Sequence, residues 1–269
     1  MRRFLLCVGL ALLATIAPPP ARAAAQQGAE ANLVLTLLGG VVGGADLWTI
    51  DRQAYCAVFS NGGCAAPYDT LGLARAMTSS LAIGAGMTYF PGPRFGFQAE
   101  IAYVGLPLND DCRVLNASPT PPTPEVCADI RRASQTTGAV SFTASTLLRA
   151  SPRGTLSPFV RGGLGLIVYN HSTIEVWGED GTGAAYQVIR DDDPRRLAAS
   201  LVLGVGATVA LGSGYQLRLE GRDVIAGFER VTGSADNLGN PPVGTRYNHH
   251  FALSIGLDVV LERKRGRRY

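Results

Sequence analysis

Large hydrophobic residues alternate with small or polar residues over much of the chain beyond residue 30. In the stretch 79–90, the two faces carry Leu81, Ile83, Met87 and Tyr89 against Ala82, Gly84, Gly86 and Thr88. A period of two is the pattern of a β-strand with two different faces. It recurs in eight stretches, at about 31–45, 79–90, 94–105, 136–150, 156–170, 197–211, 215–228 and 250–259. The chain is therefore predicted to be all-β.

The stretch 197–228 contains two halves of different character. Its first half, LAASLVLGVGATVAL, is apolar enough to suggest a membrane helix, whereas its second half, YQLRLEGRDVIAGF, carries several charges. The alternation continues through both halves, and a GSG turn at 212–214 separates them. We therefore expect a β-hairpin here rather than a helix.

The connections between the predicted strands alternate in length. Short turns at 91–94, 151–155 and 212–214 take turns with long segments at 46–77, 106–134, 171–195 and 229–246. Short turns at one end and long loops at the other are typical of outer-membrane barrels. The pattern predicts an eight-stranded antiparallel up-and-down transmembrane β-barrel.

The face opposite the large apolar residues distinguishes a membrane barrel from a soluble one. A soluble barrel would turn a charged face to water, but this face is mostly Gly, Ala, Ser and Thr, which suit the narrow interior of an eight-stranded barrel. Its charged residues are Glu100, Arg149, Arg161, Arg218, Glu220, Arg222 and Asp258. Because buried charges need partners, we expect an ionic network across the lumen, with Arg218 or Arg222 near Asp258. Exposed charges on a soluble sheet are the alternative, and Asp223, which is out of phase, is assigned to a bulge or to the outer end of its strand.

Aromatic residues cluster near both ends of the predicted strands. Those beside the short turns are Tyr89, Phe90, Phe95, Phe159 and Tyr215, and those beside the long loops are Tyr103, Tyr169, Phe228, Tyr247 and Phe251. Two aromatic belts at the lipid headgroup layers are typical of membrane barrels.

The two ends of the chain differ from its middle. The first residues, MRRFLLCVGLALLATIAPPPARA, combine two arginines, an apolar run and small residues, which predicts a cleaved signal peptide over residues 1–23. A membrane anchor is the alternative, but the apolar run is shorter than the ~20 residues of a spanning helix. A barrel domain is then expected over 24–261 and a basic periplasmic tail over 262–269. The net charge is only +3, and export from the cytoplasm argues against nucleic acid as a partner.

Four of the five cysteines follow the predicted signal peptide. Cys56 and Cys64 lie in one predicted external loop, and Cys112 and Cys127 lie in another. An even number in an exported chain favours disulfides, and four cysteines allow three pairings. We expect the local pairing, Cys56 with Cys64 and Cys112 with Cys127. A zinc site is the alternative, but neither pair has CxxC spacing.

The signal peptide, the Gly-rich alternating strands and the loop asymmetry together resemble the small eight-stranded outer-membrane barrels. This family includes the OmpA transmembrane domain and the OmpX-like and OmpW-like proteins, and the resemblance covers about residues 31–261. It implies a Gram-negative outer-membrane location, both termini in the periplasm, external loops and a polar interior. A monomer in contact with outer-membrane lipids and lipopolysaccharide is expected, together with loops that could bind an extracellular ligand.

The expected function is a structural or surface-interaction role, with the lumen closed by the ionic network. A narrow, porin-like channel for small solutes is the second hypothesis, and a lipid A-modifying enzyme is the third. The best candidates for catalysis are His171, Ser172 and Glu175, but adjacent strand residues point to opposite faces. No catalytic residue, cofactor or metal is therefore expected. The run DDDPRR at 191–196 could bind calcium, although a solvated rim with internal salt bridges is preferred.

Overall fold

A computed structural model describes residues 32–56, 59–60, 63–64, 68–117, 122–133, 135–151, 154–192, 194–212, 214–235 and 238–261. The predicted signal peptide (1–23) and basic tail (262–269) lie outside these residues. The strands are β1 (Asn32–Val42), β2 (Ala45–Tyr55), β3 (Phe59–Ser60), β4 (Gly63–Cys64), β5 (Asp69–Met77), β6 (Ser80–Phe90), β7 (Phe95–Asn116), β8 (Gln135–Arg149), β9 (Leu156–Tyr169), β10 (Val176–Glu179), β11 (Ala185–Ile189), β12 (Leu197–Gly212), β13 (Tyr215–Val231) and β14 (Val243–Leu261). The helix α1 spans Thr123–Arg132. Among the described residues, no helix is both long and apolar enough to cross a membrane.

Eight of these strands form a closed antiparallel ring. Its order is β1, β6, β7, β8, β9, β12, β13 and β14, and β14 pairs back onto β1. The predicted eight-stranded antiparallel barrel is therefore confirmed. The hairpin predicted over 197–228 is also present, as β12 and β13 joined at Gly212 and Gly214. Both glycines have positive φ, 101° and 84°, which few other residues adopt without strain.

The two ends of the barrel are built differently. The turns after β6, β8 and β12 lie at the same end as residues 32 and 261, and we call this the turn end. The longer connections lie at the opposite end, the loop end. The barrel therefore has the loop asymmetry that the sequence predicts.

The barrel wall turns its large apolar side chains outward and its small ones inward. Leu164 is 69% exposed and Val205 is 63% exposed, although both lie in the middle of their strands. An apolar band of this kind on the outside of a barrel fits lipid rather than water. Inside, Gly206 faces the ring of Phe159, and a Cβ at this position would lie 2.5 Å from the Phe159 Cζ atom. The glycine thus makes room for a lumenal aromatic residue.

Only part of the aromatic prediction holds. Tyr89, Phe95 and Tyr215 face outward near the turn end, and Tyr103, Tyr247 and Phe251 face outward nearer the loop end. The remaining four of the predicted belt residues are instead buried in the interior, namely Phe90, Phe159, Tyr169 and Phe228. Their strand phase places them on the lumenal face, where they fill space that the small residues leave empty.

Asp223 does not lie at a bulge, contrary to one of the two alternatives drawn from the sequence. β13 keeps its register on both sides of this residue, opposite Leu203 and Phe251. Asp223 therefore faces outward in normal alternation, and its Oδ2 lies 2.7 Å from Nδ1 of His249. Asp223 breaks the sequence pattern because it places a charged side chain on the outer wall, where His249 is its partner.

The long loops at the loop end contain secondary structure of their own. β2 pairs with β5, β5 pairs with the outer part of β7, and β10 pairs with β11. Together with α1, these elements form a layer over the lumen that we call the cap. Its buried side chains include Leu47, Trp48, Ile50, Leu71, Leu73, Val126, Ile130, Ile174 and Val176.

The cap corrects two predictions about the long segments. The segment 46–77 was expected to be a loop, but it folds into β2 and β5. The run NASPTPPTPEV at 116–126 is rich in proline, a composition that predicts an extended loop tip, yet α1 begins inside it at Thr123 with Pro124 in its first turn. Proline suits that position because the first helical N–H groups have no intrahelical partner. Residues 118–121 of this tip lie outside the described part of the chain.

Two disulfides fasten the segments at the loop end. Cys56 is bonded to Cys64, and Cys112 on β7 is bonded to Cys127 on α1, with Cα–Cα distances of 5.8 and 5.4 Å. Both are the local pairs. The second bond fixes α1 to the outer part of β7.

Candidate functional site: a polar plug and an apolar cavity in the lumen

Buried polar side chains fill the lumen at about the middle of the barrel. Three arginines, two glutamates and one glutamine from β7, β9 and β13 lie in contact there. We call this set the polar plug, and it comprises Gln98, Glu100, Arg161, Arg218, Glu220 and Arg222. The phase of each strand directs these side chains inward, because each follows the lumenal face of its own alternating pattern.

Arg161 on β9 is the centre of the polar plug. Its Nη1 atom lies 2.7 Å from Oε2 of Glu100 and 3.2 Å from Oε1 of Glu220. Its Nε atom donates a hydrogen bond to Oγ of Ser145 at 2.9 Å. The Arg161 side chain is 0% exposed, so these partners compensate a charge that water does not reach.

Two arginines on β13 complete the plug. Arg222 Nη1 lies 2.5 Å from Oε1 of Glu100, and Arg218 Nη2 lies 2.8 Å from Oε2 of Glu220. Arg218 also donates to Oε1 of Gln98 at 3.1 Å. Because β13 is four places from β7 in the eight-stranded ring, the contacts to β7 span the full lumen. Gly204 leaves space beside Glu220, since a Cβ there would lie 2.9 Å from Oε1.

Two residues of the predicted network have other partners. Asp258 accepts a hydrogen bond from Oγ1 of Thr36 at 2.7 Å, and neither Arg218 nor Arg222 forms an ion pair with it. Arg149 lies over the ring of Phe90, with its Cζ atom 3.5 Å from the ring centroid. Both residues lie nearer the turn end than the plug. The structure thus brings together five of the seven charged residues named from the sequence and leaves Arg149 and Asp258 outside the plug.

Two side chains that contact the plug arginines were not part of the ionic network predicted from the sequence. Gln98 and Ser145 are uncharged, and a search for buried charges does not select them. Both follow the lumenal phase of their strands, and this signal could have identified them.

On the turn-end side, Val34, Phe90, Leu147 and Phe159 form a small buried apolar cluster.

An apolar cavity of about 80 Å³ lies on the loop-end side of the plug. It lies between the plug and the cap, because its lining includes Arg222 of the plug and Met77 of the cap strand β5. Its other walls are mainly aliphatic and aromatic, from Leu38, Ala102, Ile167, Val224, Phe228 and Ala252. We call this space the upper cavity.

His250 is the most unusual residue of the upper cavity. It is 4% exposed, its ring lies 4.8 Å from that of Phe228, and neither ring nitrogen makes a hydrogen bond of good geometry with a described residue. The backbone of Gly43 lies within reach of the imidazole. Nε of Arg222, another lining residue, is also buried without a partner. Buried polar groups normally have partners, so two such groups at one cavity are unusual in a protein interior.

The barrel wall has an unpaired strand edge next to His250. Pairing between β1 and β14 ends at Val42 and Ala252, followed by one bond from the Gly43 N–H to the Phe251 carbonyl at 2.7 Å. Beyond this point, β14 pairs with β13 alone within the described residues. β2 contacts the β13–β14 connection instead, through hydrogen bonds with Ser234, Ala235 and Gly239.

The residues considered for catalysis or metal binding have other contacts. The Ser172 hydroxyl donates to Asp191, and Glu175 accepts a hydrogen bond from Gln187 at 2.7 Å. The side chain of Asp192 lies 2.8 Å from Arg190. Asp193 lies outside the described residues, and among the described residues no group of three or more His, Cys, Asp or Glu side chains could hold a metal ion.

Known structures similar to this chain are outer-membrane barrels. OprG from Pseudomonas aeruginosa has a TM-score of 0.47 at 10% identity, over 88% of this chain and 99% of that one. The outer membrane protein AlkL has a TM-score of 0.41 at 13% identity, over 92% and 97%. Neisserial surface protein A has a TM-score of 0.40 at 11% identity, over 84% and 96%. No family model matches this sequence, and no curated protein does. Similarities this distant say nothing about what the chain binds.

Proposed function

We propose that this protein is a monomeric outer-membrane β-barrel with a closed lumen, whose role is structural or interaction-based and is carried by the cap. The observation that supports it best is the contact between Arg222 and Glu100, which joins opposite strands through the middle of the lumen. A porin-type path for water and ions would have to pass through this set of ion pairs. The cap adds a second barrier, because its apolar core lies over the same lumen.

The apolar outer wall supports the membrane location in this proposal. Large residues such as Leu81, Ile83 and Leu253 are mostly exposed, which water would penalise and lipid would not. At the loop end, Arg195, Arg196 and Arg246 are exposed on segments close to Tyr247. Arginines beside an interfacial aromatic residue suit the phosphates of lipopolysaccharide. We therefore include lipopolysaccharide among the proposed partners.

The lipopolysaccharide contact can be tested with purified protein. Full-length protein extracted in mild detergent is mixed with lipopolysaccharide and re-isolated by size exclusion. We expect co-elution to decrease strongly when Arg195, Arg196 and Arg246 are replaced by Gln together. A control with Arg131→Gln and Arg132→Gln on α1 removes exposed charges from the cap and should leave co-elution unchanged. Equal losses in the two variants would contradict a specific rim contact.

The surface-interaction role needs a separate test. Liposomes that carry the full chain are applied to immobilised heparin, collagen and fibronectin, with protein-free liposomes as the baseline. We expect binding that disappears when 176–189 is replaced by a short Gly-Ser link, because this change removes the β10–β11 hairpin but no barrel strand. If binding survives this deletion, the barrel or another loop carries it rather than this hairpin. If no binding occurs on any probe, the structural role remains.

A narrow channel for small solutes is the second candidate. The upper cavity supports it, because the cavity borders the unpaired edge of β14 and gives the lumen an empty compartment on one side of the plug. A solute could reach this compartment only past the cap or through the wall. Uptake of a small solute that persists in a variant with bulkier side chains in the plug would favour a route through the wall.

A further inference from the structure

We propose that the upper cavity is a binding site for a small carboxylate with a short aliphatic tail. The inference goes beyond the closed-barrel proposal, because a ligand could occupy this compartment whether or not the lumen conducts. Four features support it, namely the size of the cavity, its walls, its unpartnered polar groups and the local balance of charge.

The size of the cavity limits the ligand to a few atoms. A cavity of about 150 Å³ in a protein core takes one benzene molecule. The upper cavity, at about 80 Å³, is about half that size, so the ligand is smaller than benzene and has roughly three to five non-hydrogen atoms. The ligand is thus much smaller than a sugar or a phospholipid.

The walls of the cavity require an apolar part in the ligand. Leu38, Ile167 and Val224 are aliphatic, and Phe228 contributes an aromatic ring. Apolar walls of this kind accept apolar groups. Only one end of the ligand therefore needs to be polar.

An unpartnered arginine N–H and a buried imidazole mark the polar end. Arg222 holds Glu100 through Nη1, but its Nε–H has no partner. His250 adds an imidazole that is buried and has no hydrogen bond of good geometry from a described residue. The Arg222 Nε–H is a donor, and the imidazole donates through whichever ring nitrogen carries a proton, so a group that binds both must be an acceptor. A carboxylate supplies acceptors for both and forms charge-assisted hydrogen bonds with the arginine.

The charge of the interior also favours an anion. The polar plug contains three arginines and two glutamates, which leaves one positive charge in excess. Adding Arg149 and Asp258 gives four arginines and three acids, so the excess is unchanged. Uncompensated charge in a low-dielectric interior is costly. A monovalent carboxylate at Arg222 would neutralise it.

Propionate, which has five non-hydrogen atoms, is the probe that fits these limits. Full-length protein in lipid nanodiscs is titrated with ¹³C-labelled propionate and followed by NMR, and isosteric propionamide is titrated as the uncharged comparison. We expect saturable propionate binding, with propionamide weaker by about tenfold because it lacks the charge-assisted bond. Absence of saturable propionate binding, or equal affinity for the two compounds, would overturn the proposal.

Adjacent histidines provide a matched pair of variants. His250→Phe removes the imidazole inside the cavity, whereas His249→Phe changes the neighbouring residue on the outer wall. We expect His250→Phe to weaken propionate binding by about tenfold and His249→Phe to leave it unchanged. Equal losses in both variants would overturn the location.

A cavity-filling variant keeps the test decisive if His250→Phe does not fold. Ala102→Leu places extra methyl groups in the cavity from β7 and leaves His250 and Arg222 intact. Folding is checked by heat-modifiable migration on a gel before each titration. Loss of propionate binding in folded Ala102→Leu supports the site, and full retention of binding overturns it.

Discussion

Arg222 on β13 and Glu100 on β7 lie on opposite strands of the eight-stranded ring, yet their Nη1 and Oε1 atoms are 2.5 Å apart. An arginine and a glutamate are long enough to meet across so narrow a barrel when glycine and serine line the rest of the wall. Arg161 enters the same contact from β9 and bridges Glu100 to Glu220. Three strands are therefore joined through the lumen as well as around the wall, and the predictions below follow from this arrangement.

The first prediction concerns the charge balance of the polar plug. Glu100→Gln removes the carboxylate that faces both Arg161 and Arg222. Breaking a buried ion pair by removing one partner typically costs about 3–5 kcal/mol of stability. We expect a decrease of this size in urea unfolding of the protein in lipid vesicles, followed by tryptophan fluorescence.

Glu179→Gln is the control for this variant. Glu179 is an exposed residue of the cap hairpin, so the same chemical change should shift the unfolding free energy by less than about 0.5 kcal/mol. A loss for Glu100→Gln no larger than that for Glu179→Gln would contradict the buried plug.

The second prediction concerns the attachment of the cap. The Asp110 carboxylate accepts two hydrogen bonds from Arg75, at 2.6 and 2.7 Å, and Arg75 also donates to the Thr173 carbonyl at 3.0 Å. Asp110→Asn removes the carboxylate that accepts two hydrogen bonds from a buried guanidinium. We expect the cap to become sensitive to protease while the barrel still shows heat-modifiable migration. Asp111→Asn, which changes the adjacent exposed carboxylate, should remain as resistant as the natural protein.

The third prediction concerns the disulfide between β7 and α1. Cys112 and Cys127 are separated by 15 residues, and closure of a loop of this length stabilises a fold by about 3 kcal/mol. Replacing both cysteines by Ser should let α1 unfold more readily, so that trypsin cleaves after Arg131 and Arg132. Replacing Cys56 and Cys64, which close a shorter loop of 8 residues, should have a smaller effect on cleavage at α1. Protection of α1 that does not depend on Cys112 and Cys127 would contradict this role.

The fourth prediction concerns pH and the turn between β10 and β11. The Asp180 carboxylate accepts hydrogen bonds from the Thr182 side chain and from the Ala184 and Thr182 backbone N–H groups, and these lower its pKa to about 2. Because the pKa of this carboxylate is lower in the folded protein, its ionised form stabilises the turn at pH values above ~3.9, the pKa of an unfolded Asp. The stabilisation is lost as the pH falls through about 2. Thr182→Val should raise the pKa of Asp180 toward the unfolded value, as measured by NMR titration of its carboxyl carbon.

The sequence predicted the barrel because its determinants are local. Strand phase is visible in the alternation of residues such as Leu201 and Gly204, and turn chemistry is visible in the GSG at 212–214. The same phase directs Glu100, Arg161 and Arg222 into the lumen. The choice of partners was less accurate, because register decides which charges meet. Arg222 contacts Glu100 on the opposite strand rather than Asp258 on the neighbouring one.

The cap was missed for a different reason. β2 alternates less regularly than the wall strands, with two register shifts against β5. Only short breaks at 43–44 and 78–79 separate β2 from the preceding β1 and β5 from the following β6. The prolines at 122 and 124 suggested an extended loop, although proline is also favourable in the first turn of a helix. The buried pair of Arg75 and Asp110 joins residues that are far apart in sequence, and no local pattern indicates it.

The central claim is that the lumen is closed, and conductance through planar lipid bilayers tests it most directly. Purified full-length protein is reconstituted at low density, and current is recorded under an applied voltage in 1 M KCl. We predict no steady ion-conducting openings for the natural protein, because the polar plug and the cap both close the lumen. Steady openings of the natural protein that change when Arg218 or Glu220 is replaced by Ala would contradict the closed lumen.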